Sequence, residues 1–480
     1  MKLYVPPFRV RLEDWSGWTG NAWGKIRSVV GRSFRIPGQH ESIYTMAANA
    51  VLQLVLDYDI DPARVGMLAL GTESSTDNSA GAVIVKGMVD RALLELGRPP
   101  LSRNCEVPEF KHACLGGVYA LKSAARYLAS DGAGRQAIVV CGDVAEYERG
   151  STGEQTQGAG TVAMLVEEDP TLFALNLTQA GSASDYRGPD FRKPFRRYAS
   201  APATENSGKM HDYPVFSGRY SLVCYIDETL RAVDDMLTRL RVTPRAFFHQ
   251  IDGAFLHRPY HQMPVTAMAA LYAWGLSKSE AHLGELQKLC EQAGADYEKV
   301  LGEMRSQPRL FDAILHKTFD GEVYPESMKA VRFFRSTPKF EEVVTRKMSL
   351  GSDRMMDLGN LYTASLPAWV AAGLEEGAER EFDLAGKRFV FIGYGSGDAA
   401  EAIPIQVMPR WKAAADKIGF RRALDKAIDL NQKQYEALHD GKEAPGLVYR
   451  PAGEFVIDHI GSRHESDFQD LGIEYYRYVP

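Results

Sequence analysis

The 480-residue chain has only five cysteines, Cys105, Cys114, Cys141, Cys224 and Cys290, and no two form a CxxC pair. That spacing excludes a zinc-ribbon site and a disulfide framework, and it suits a reducing compartment. No apolar run reaches the roughly 18 residues of a membrane span. The opening MKLYVPPFRVRLEDWSG lacks the apolar stretch of a signal peptide, so a cytoplasmic protein with no membrane partner is expected. The net charge of −6 leaves no broad basic field, which argues against nucleic acid as a partner. The phosphate-cradling GxGxxG and GxxxxGK[ST] loops are also missing. Nothing in the sequence signals a metal or a redox cofactor. What remains is ordinary globular composition, 45% hydrophobic and 25% charged, long enough for two or three domain-sized units.

Helical and strand patterns alternate, which predicts an α/β layered fold. SIYTMAANAVLQLVLDY carries apolar residues at helical spacing, RVGMLALGTES reads as a buried strand ending in a loop, and AGAVIVKGMVDRALLELG is a helix closed by Gly97 and two prolines. A helix follows from about Leu115 to Ser130, then the strands RQAIVVCGD and GAGTVAMLVEE. The second half repeats the order. YSLVCYIDETLRAVDDMLTRL is a helix, AFFHQIDGAFLHRP contains strand-like runs, LYTASLPAWVAAGLEEG is a helix, and KRFVFIGYGSGD and AAEAIPIQVM are strands. This parallel predicts an internal duplication. We place the first half at residues 1–167 and the second at 168–480, with a charged helical insertion over about 277–357. The insertion reads as a solvated face or dimer flank. Beyond Pro409, GLVYR and EFVIDHIG read as short strands.

Cys114 stands where a helix begins, in EFKHACLGGVYALKSAARYLAS. A lone cysteine is most often a packing residue. Here unpaired N–H groups at a helix start would favour a thiolate, and Lys111 and His112 would add positive charge if they face inward. Gly116 and Gly117 each cost a helix about 1 kcal/mol against Ala, which makes sense where a backbone or a ligand approaches closely. A nucleophilic cysteine needs partners. His257 follows a strand-like run, with His249, His211 and His261 as competitors. Asn360 lies before a helix start, where N-cap or turn duty is its ordinary role. Glu73 closes a hydrophobic strand, where desolvation would raise its pKa toward that of a useful base; taken alone it is more ordinarily a hydrated loop carboxylate. The Gly393–Asp398 turn offers N–H groups that, with the N–H of Cys114, could form an oxyanion hole.

Cys114 before a glycine-bearing helix, GTES, STGEQTQGAGTVAMLVE, YPVFSGRYSLVCY, FLHRPY, GNLYTAS and GYGSG occur in that order. As an ordered set they resemble the 3-hydroxy-3-methylglutaryl-CoA synthase family of the thiolase superfamily, from about Tyr4 to Met408. The resemblance implies two thiolase-like βαβαβαββ halves layered α/β/α/β/α, and a homodimer. It implies a ping-pong condensation with CoA thioesters as substrates and no separate cofactor. Cys114 would be acetylated by acetyl-CoA. Glu73 would take a proton from the acetyl methyl group, and the carbon would attack the ketone of acetoacetyl-CoA. His257 would act as general acid near the ketone oxygen or position the second thioester. Hydrolysis would free 3-hydroxy-3-methylglutaryl-CoA for the mevalonate pathway and isoprenoid synthesis. By the same matching Asn360, Ser396, Ser221, Thr152, Thr156 and Gly395 fall on substrate-contact positions, although serines and threonines cap helices and turns everywhere.

The chain departs from the family pattern in four places. Gln262 and Thr266 stand where the family carries lysines that meet CoA phosphates, so those contacts are expected from Arg258, Arg32 or Arg35, or the acyl carrier differs. Leu115 replaces an aromatic residue beside the nucleophile, which predicts a wider acyl pocket. Most of the family's first strand is expected to be missing, and the insertion after Gly275 is long. Three other readings compete with the leading one: a β-branching synthase of polyketide pathways using acyl carrier protein, a ketoacyl synthase III-like condensing enzyme, and a non-catalytic acyl-CoA-binding scaffold.

Overall fold

The computed structural model describes residues 1–193, 213–319 and 323–480. His211 lies outside the described residues. Two five-stranded sheets form the frame. The first contains β1 (Lys2–Tyr4), β2 (Val65–Gly71), β3 (Glu109–Phe110), β4 (Gln136–Ala145) and β5 (Gly158–Val166), in the order β1-β5-β4-β2-β3. The second contains β6 (Phe173–Leu175), β7 (Gly181–Ser184), β8 (Gly253–Leu256), β9 (Arg388–Gly395) and β10 (Ala399–Val407). Its order is β8-β9-β10-β6, and β7 also pairs with β10.

The two sheets repeat one topology. β2 and β4 are parallel, and β5 runs antiparallel to β4 and to β1. Likewise β8 and β9 are parallel, and β10 runs antiparallel to β9 and to the β6 and β7 segments. Helices recur in register: α1 (Ile43–Asp57) and α2 (Gly116–Leu128) in the first half, α3 (Gly218–Leu240) and α6 (Ser365–Glu379) in the second. Between these last two lie α4 (Gln262–Ser277) and α5 (Pro325–Phe334). β1, three residues long, pairs with β5 through Lys2↔Ala163.

The strand sequences explain the layering. Side chains alternate across a sheet, and strands covered on both faces read as unbroken apolar runs. In β2, Met67 and Ala69 join the central core while Leu68 and Leu70 join the outer one with α1. In β4, Ala137, Val139 and Cys141 face inward and Ile138 and Val140 outward. The central core is continuous from these residues through Val118 and Ala124 of α2 and Ala368 and Trp369 of α6 to Phe391 and Ile403 of the second sheet. The fold is thus thiolase-like, with α2 and α6 packed between two sheets and further helices outside.

Three local expectations are corrected. AFFHQ is the helix Pro244–Gln250, not a strand; Thr243 caps it and Pro244 opens it, the usual signature of a helix start. GLVYR forms no strand. The 277–357 insertion is a solvated face on one side only. Leu286, Val300, Met304, Val331 and Phe334 are buried in the central core, and the Phe334 ring stacks on Tyr272 of α4 at 4.8 Å. No described helix is long and apolar enough to cross a membrane.

Candidate active site

Cys114, Glu73 and His257 each follow the carboxyl end of a strand or open a helix beside one. Glu73 lies two residues past β2, His257 one residue past β8, and Gly395 is the last residue of β9. Cys114 lies just ahead of α2. Ala113, beside it, has φ of 41°, a left-handed conformation that costs a residue with a Cβ on the order of 1 kcal/mol. Cys114 is 8% exposed and packs with Tyr147, Tyr362, Phe191 and Phe216 in a small aromatic cluster apart from the central core.

Burial raises the Cys114 thiol well above its ordinary pKa, and the nearby carboxyls of Glu73, Asp143 and Asp190 add to the rise. The resting group is a thiol, which corrects the expectation of a helix-stabilised thiolate. The expected positive neighbours do not offset this. Burial lowers the pKa of His112, whose ring bonds the Gly395 backbone, and Lys111 donates to Ser75 O at 2.6 Å.

Burial and the charge of Asp143 push Glu73 up to about 8, with Lys193 and Lys111 pulling the other way. Asp143, in β4, is the residue that sequence reasoning missed. Its buried carboxylate accepts from Thr72 Oγ1, the N–H groups of Glu73 and Ser74, Ser74 Oγ, and the N–H and Oγ1 of Thr363. The Glu73 carboxyl makes no side-chain hydrogen bond with a described residue. Burial raises the Asp143 carboxyl as well, but these six donors pull it back down, so of the two carboxyls Asp143 is the better held as a carboxylate. The only signal was a carboxylate inside VVCGD, a strand too apolar to leave it in water.

His257 is 2% exposed, and burial takes its pKa down to about 3, so its imidazole is neutral. Its N–H donates to Ile392 O at 2.8 Å and its carbonyl accepts from Tyr225 Oη at 2.7 Å, which fixes the backbone. Its ring stacks on Tyr394 at 6.5 Å. Tyr394 Oη in turn donates to the buried Asp190 at 2.7 Å, one of the carboxyls acting on Cys114. His249 lines a separate cavity near Phe248 and Lys347, and His261 bonds Arg258 at 3.0 Å. Of the described histidines, His257 alone joins this chain of groups.

Asn360 is buried, and its Oδ1 accepts from Tyr362 N at 2.9 Å and Ser365 Oγ at 3.0 Å, shaping the loop that sets Tyr362 against Cys114. Its N–H donates to Thr156 O at 3.0 Å, so Thr156 braces this loop while its own hydroxyl donates to Gly153 O. Gly395 backs the cysteine loop: a Cβ there would lie 2.5 Å from His112 O. Ser396 follows it, half-buried. Ser221 Oγ, in α3, is buried without a partner among the described residues. Thr152 is exposed.

Leu115 is fully buried in the central core, against Gly393 and Gly395. Gly116 and Gly117 are places where a backbone approaches closely, one of the two expected reasons for glycine there. A Cβ on Gly117 would lie 2.8 Å from Thr363 O and from Cys141 Cβ. Of the arginines expected to meet phosphate, Arg32 is paired with Asp353 and Asp357. Arg35 is 1% exposed and donates to the carbonyls of Pro6 and Leu424.

A thiol beside a protonated carboxyl, a neutral imidazole and a glycine turn is a set suited to acyl transfer and carbon–carbon bond formation. Comparison with known proteins agrees. The family model for the hydroxymethylglutaryl-coenzyme A synthase N terminal matches residues 1–171, and that for the C terminal matches residues 209–444. A hydroxymethylglutaryl-CoA synthase of Haloferax volcanii is 27% identical over 441 residues, 90% of this chain and 89% of the relative. The solved structure of MvaS in complex with 3-hydroxy-3-methylglutaryl coenzyme A has a TM-score of 0.76 at 24% identity, covering 100% of this chain and 98% of that one. The HMG synthase of the curacin biosynthetic pathway, in complex with holo donor-ACP, has a TM-score of 0.70 at 19% identity, with coverage of 100% and 98%.

Proposed function

The chain belongs to the hydroxymethylglutaryl-CoA synthase family of acyl-transferring condensing enzymes, and from that premise we propose that it condenses acetyl-CoA with acetoacetyl-CoA through an acetyl-cysteine. The observation that carries the reading is the Glu73–Asp143 pair beside Cys114. A thioester methyl is a very weak carbon acid, and no carbon dioxide leaves to generate the carbanion, so the reaction requires a dedicated base. A carboxyl held near neutrality is suited to that task.

In the first half-reaction the Cys114 sulfur attacks the acetyl thioester carbonyl. The carbon–sulfur bond to the carrier breaks, and the thiol proton passes to the departing thiolate. The high pKa of Cys114 means that proton leaves sulfur as the new bond forms, not beforehand. In the second, the Glu73 carboxylate takes a proton from the acetyl methyl group and the carbon attacks the ketone of acetoacetyl-CoA. The new alkoxide takes a proton back. The neutral His257 ring serves as a hydrogen-bond donor to that oxygen, which refines the general-acid role expected from sequence. Water then cleaves the acyl–Cys114 bond, restoring the thiol and releasing the product. Asn360, Ser396, Ser221, Thr152, Thr156 and Gly395 remain proposed substrate contacts; burial supports Asn360 and Gly395, and exposure weakens Thr152.

The remaining parts of the reading are a homodimer in the cytoplasm serving the mevalonate route to isoprenoids, with halves at 1–167 and 168–480 and no separate cofactor. A second reading, a polyketide β-branching synthase fed by acyl carrier protein, is favoured by the uncharged Gln262 and Thr266. The test is intact-mass and peptide mapping after incubation with acetyl-CoA or acetylated carrier protein. Acetyl is expected on Cys114 and absent in Cys114→Ala. Glu73→Ala should keep acetylation and lose condensation. An unlabelled Cys114, or label that survives Cys114→Ala, refutes the proposal.

A further inference from the structure

Glu73 lies in the loop between β2 and the helix Gly81–Glu95. Its carboxyl has no hydrogen-bond partner among the described residues, so its place is set by how the backbone of this loop is anchored. Asp143 holds the near end through Thr72, Glu73 and Ser74. The far end is held by a second carboxylate, Glu109 of β3, whose side chain is fully buried. Glu109 Oε1 accepts from Ser75 Oγ, and its Oε2 accepts from the N–H of Gly81 at 3.0 Å. Gly81 is the first residue of its helix, where a free N–H and the helix dipole favour a carboxylate. A Cβ on Gly81 would lie 2.6 Å from Glu109 Oε2, so the absence of a side chain is what lets the carboxylate reach that N–H.

Ser75 is gripped from two sides. Lys111, two residues past Glu109, donates to Ser75 O at 2.6 Å and lies 3.9 Å from Glu109 Oε1. Glu109 and Lys111 thus hold the hydroxyl and the carbonyl of a buried serine two residues from Glu73, while residues 76–79 beyond it are exposed. The same short segment touches the nucleophile's side. Phe110 O accepts from Thr72 N at 3.2 Å, and a Cβ on Gly116, at the start of α2, would lie 2.7 Å from that oxygen. From Phe110 the chain runs directly into the turn that presents Cys114. A buried carboxylate is costly unless hydrogen-bonded, and Glu109 spends its hydrogen bonds on the two ends of the base loop.

We propose that Glu109 is a positioning residue, which sets the reach of the Glu73 base to the acetyl group on Cys114 by tying the base loop to the segment that carries the sulfur. The inference rests on the condensing reaction proposed above. Proton transfer from carbon needs the base within hydrogen-bond reach of the methyl group. A misplacement on the order of 1 Å costs up to about 100-fold in rate. Acetylation of the sulfur does not use Glu73, so the two half-reactions should respond differently when this anchor is cut.

The experiment measures two rates in each protein: acetylation of Cys114 by acetyl-CoA or acetylated carrier protein, whichever labels the wild type, and single-turnover condensation of the acetylated enzyme with acetoacetyl-CoA. Ser75→Ala and Glu109→Ala should slow condensation about tenfold or more and acetylation less than about twofold. Glu109→Gln keeps an acceptor for the Gly81 N–H and turns an amide N–H toward Ser75 Oγ, so it should return condensation to within about threefold of the wild type. Ser75→Ala leaves the Glu109–Gly81 bond in place and carries the test if Glu109→Ala does not fold. Equal losses in the two rates, or condensation unchanged in Ser75→Ala, overturn the inference. A Glu109→Gln as slow in condensation as Glu109→Ala also overturns it, because the charge and not the anchoring would then matter. A wild-type protein that is not acetylated, or a Glu73→Ala that still condenses, refutes the proposed function, and this inference falls with it.

Discussion

Replacing Glu73 by Gln should make the protein more stable at pH 8.5 and change it little at pH 5. The sign follows from linkage. The native carboxyl titrates near 8 instead of its ordinary 4.5, so between those values the folded state holds a proton that the unfolded state has released. Stability from this group is therefore fully present below about 4.5 and is lost as pH rises through 8. Each pH unit across that window is worth about 1.4 kcal/mol, which sets an upper limit of roughly 4–5 kcal/mol. Glu73 keeps partial contact with solvent, and screening reduces the effect to about 2–3 kcal/mol. For a chain of 480 residues, with an unfolding entropy of about 2 cal/mol/K per residue, that corresponds to a rise in Tm of about 2–3 °C.

The assay is thermal unfolding of both proteins at pH 5, 6, 7, 8 and 8.5 in buffers of matched ionic strength. The difference in Tm should be near zero at pH 5 and widen steadily to alkaline pH. A difference that stays constant with pH would mean that the substitution alters packing alone. A difference that narrows toward pH 8.5 would mean that Glu73 is a stabilised carboxylate, and the argument for it as a base poised near neutrality would fail.

Two other substitutions probe the seam between the halves. Lys122 of α2 and Glu401 of β10 form a buried pair at 2.6 Å, so Lys122→Met alone should cost about 3–5 kcal/mol by stranding the carboxylate. Lys122→Met with Glu401→Leu should recover most of that in a denaturant titration; no recovery would show that packing, not charge, was lost. Gly117→Ala forces a Cβ to within 2.8 Å of Thr363 O and Cys141 Cβ and should cost about 1–3 kcal/mol. The same variant should slow Cys114 alkylation or acetylation measurably, whereas an unchanged Tm would show that the two halves have slack at this point.

The layered fold was legible because its strands announce themselves. MLALG, AIVVC and FVFIG are apolar on both faces and end at glycine or a polar loop, and each is a strand buried between helices. The order of Glu73, Cys114, His257 and Asn360 was legible through resemblance, but their ionisation was not. A helix start argued for a thiolate, yet burial and three carboxyls outweigh a few N–H dipoles. Asp143 was illegible because a single Asp in a strand carries no motif; only the fold shows six donors converging on it. Within AFFHQIDGAFLHRP only GAFL is a strand, because Thr243 and Pro244 start a helix that takes up the first run.

The duplication gives the site its internal logic. Cys114 lies two residues before α2, and Thr363 lies two residues before α6. Each is preceded by a residue with positive φ, 41° at Ala113 and 45° at Tyr362. The same strained turn thus presents a sulfur in one half and a hydroxyl in the other. The hydroxyl is not free: Thr363 Oγ1 lies 2.6 Å from Asp143 Oδ2 and 3.0 Å from Gly71 O, with one proton to donate. Asp143 in turn holds the backbone of Glu73. The second half's turn therefore acts on the base through one carboxylate. Thr363→Val keeps the shape and the N–H bond but removes the hydroxyl donor, so the charge on Asp143 is less stabilised and its proton affinity rises. As Asp143 takes up protons, Glu73 loses its repulsive neighbour and titrates lower. The pH at which condensation becomes half-maximal, measured by single-turnover reaction of the acetylated enzyme, should lie near 8 in the wild type and move to lower pH in Thr363→Val. A shift to higher pH would mean that Asp143 withdraws from Glu73 instead of neutralising, and no shift would mean that the pair is not electrostatically coupled during the reaction.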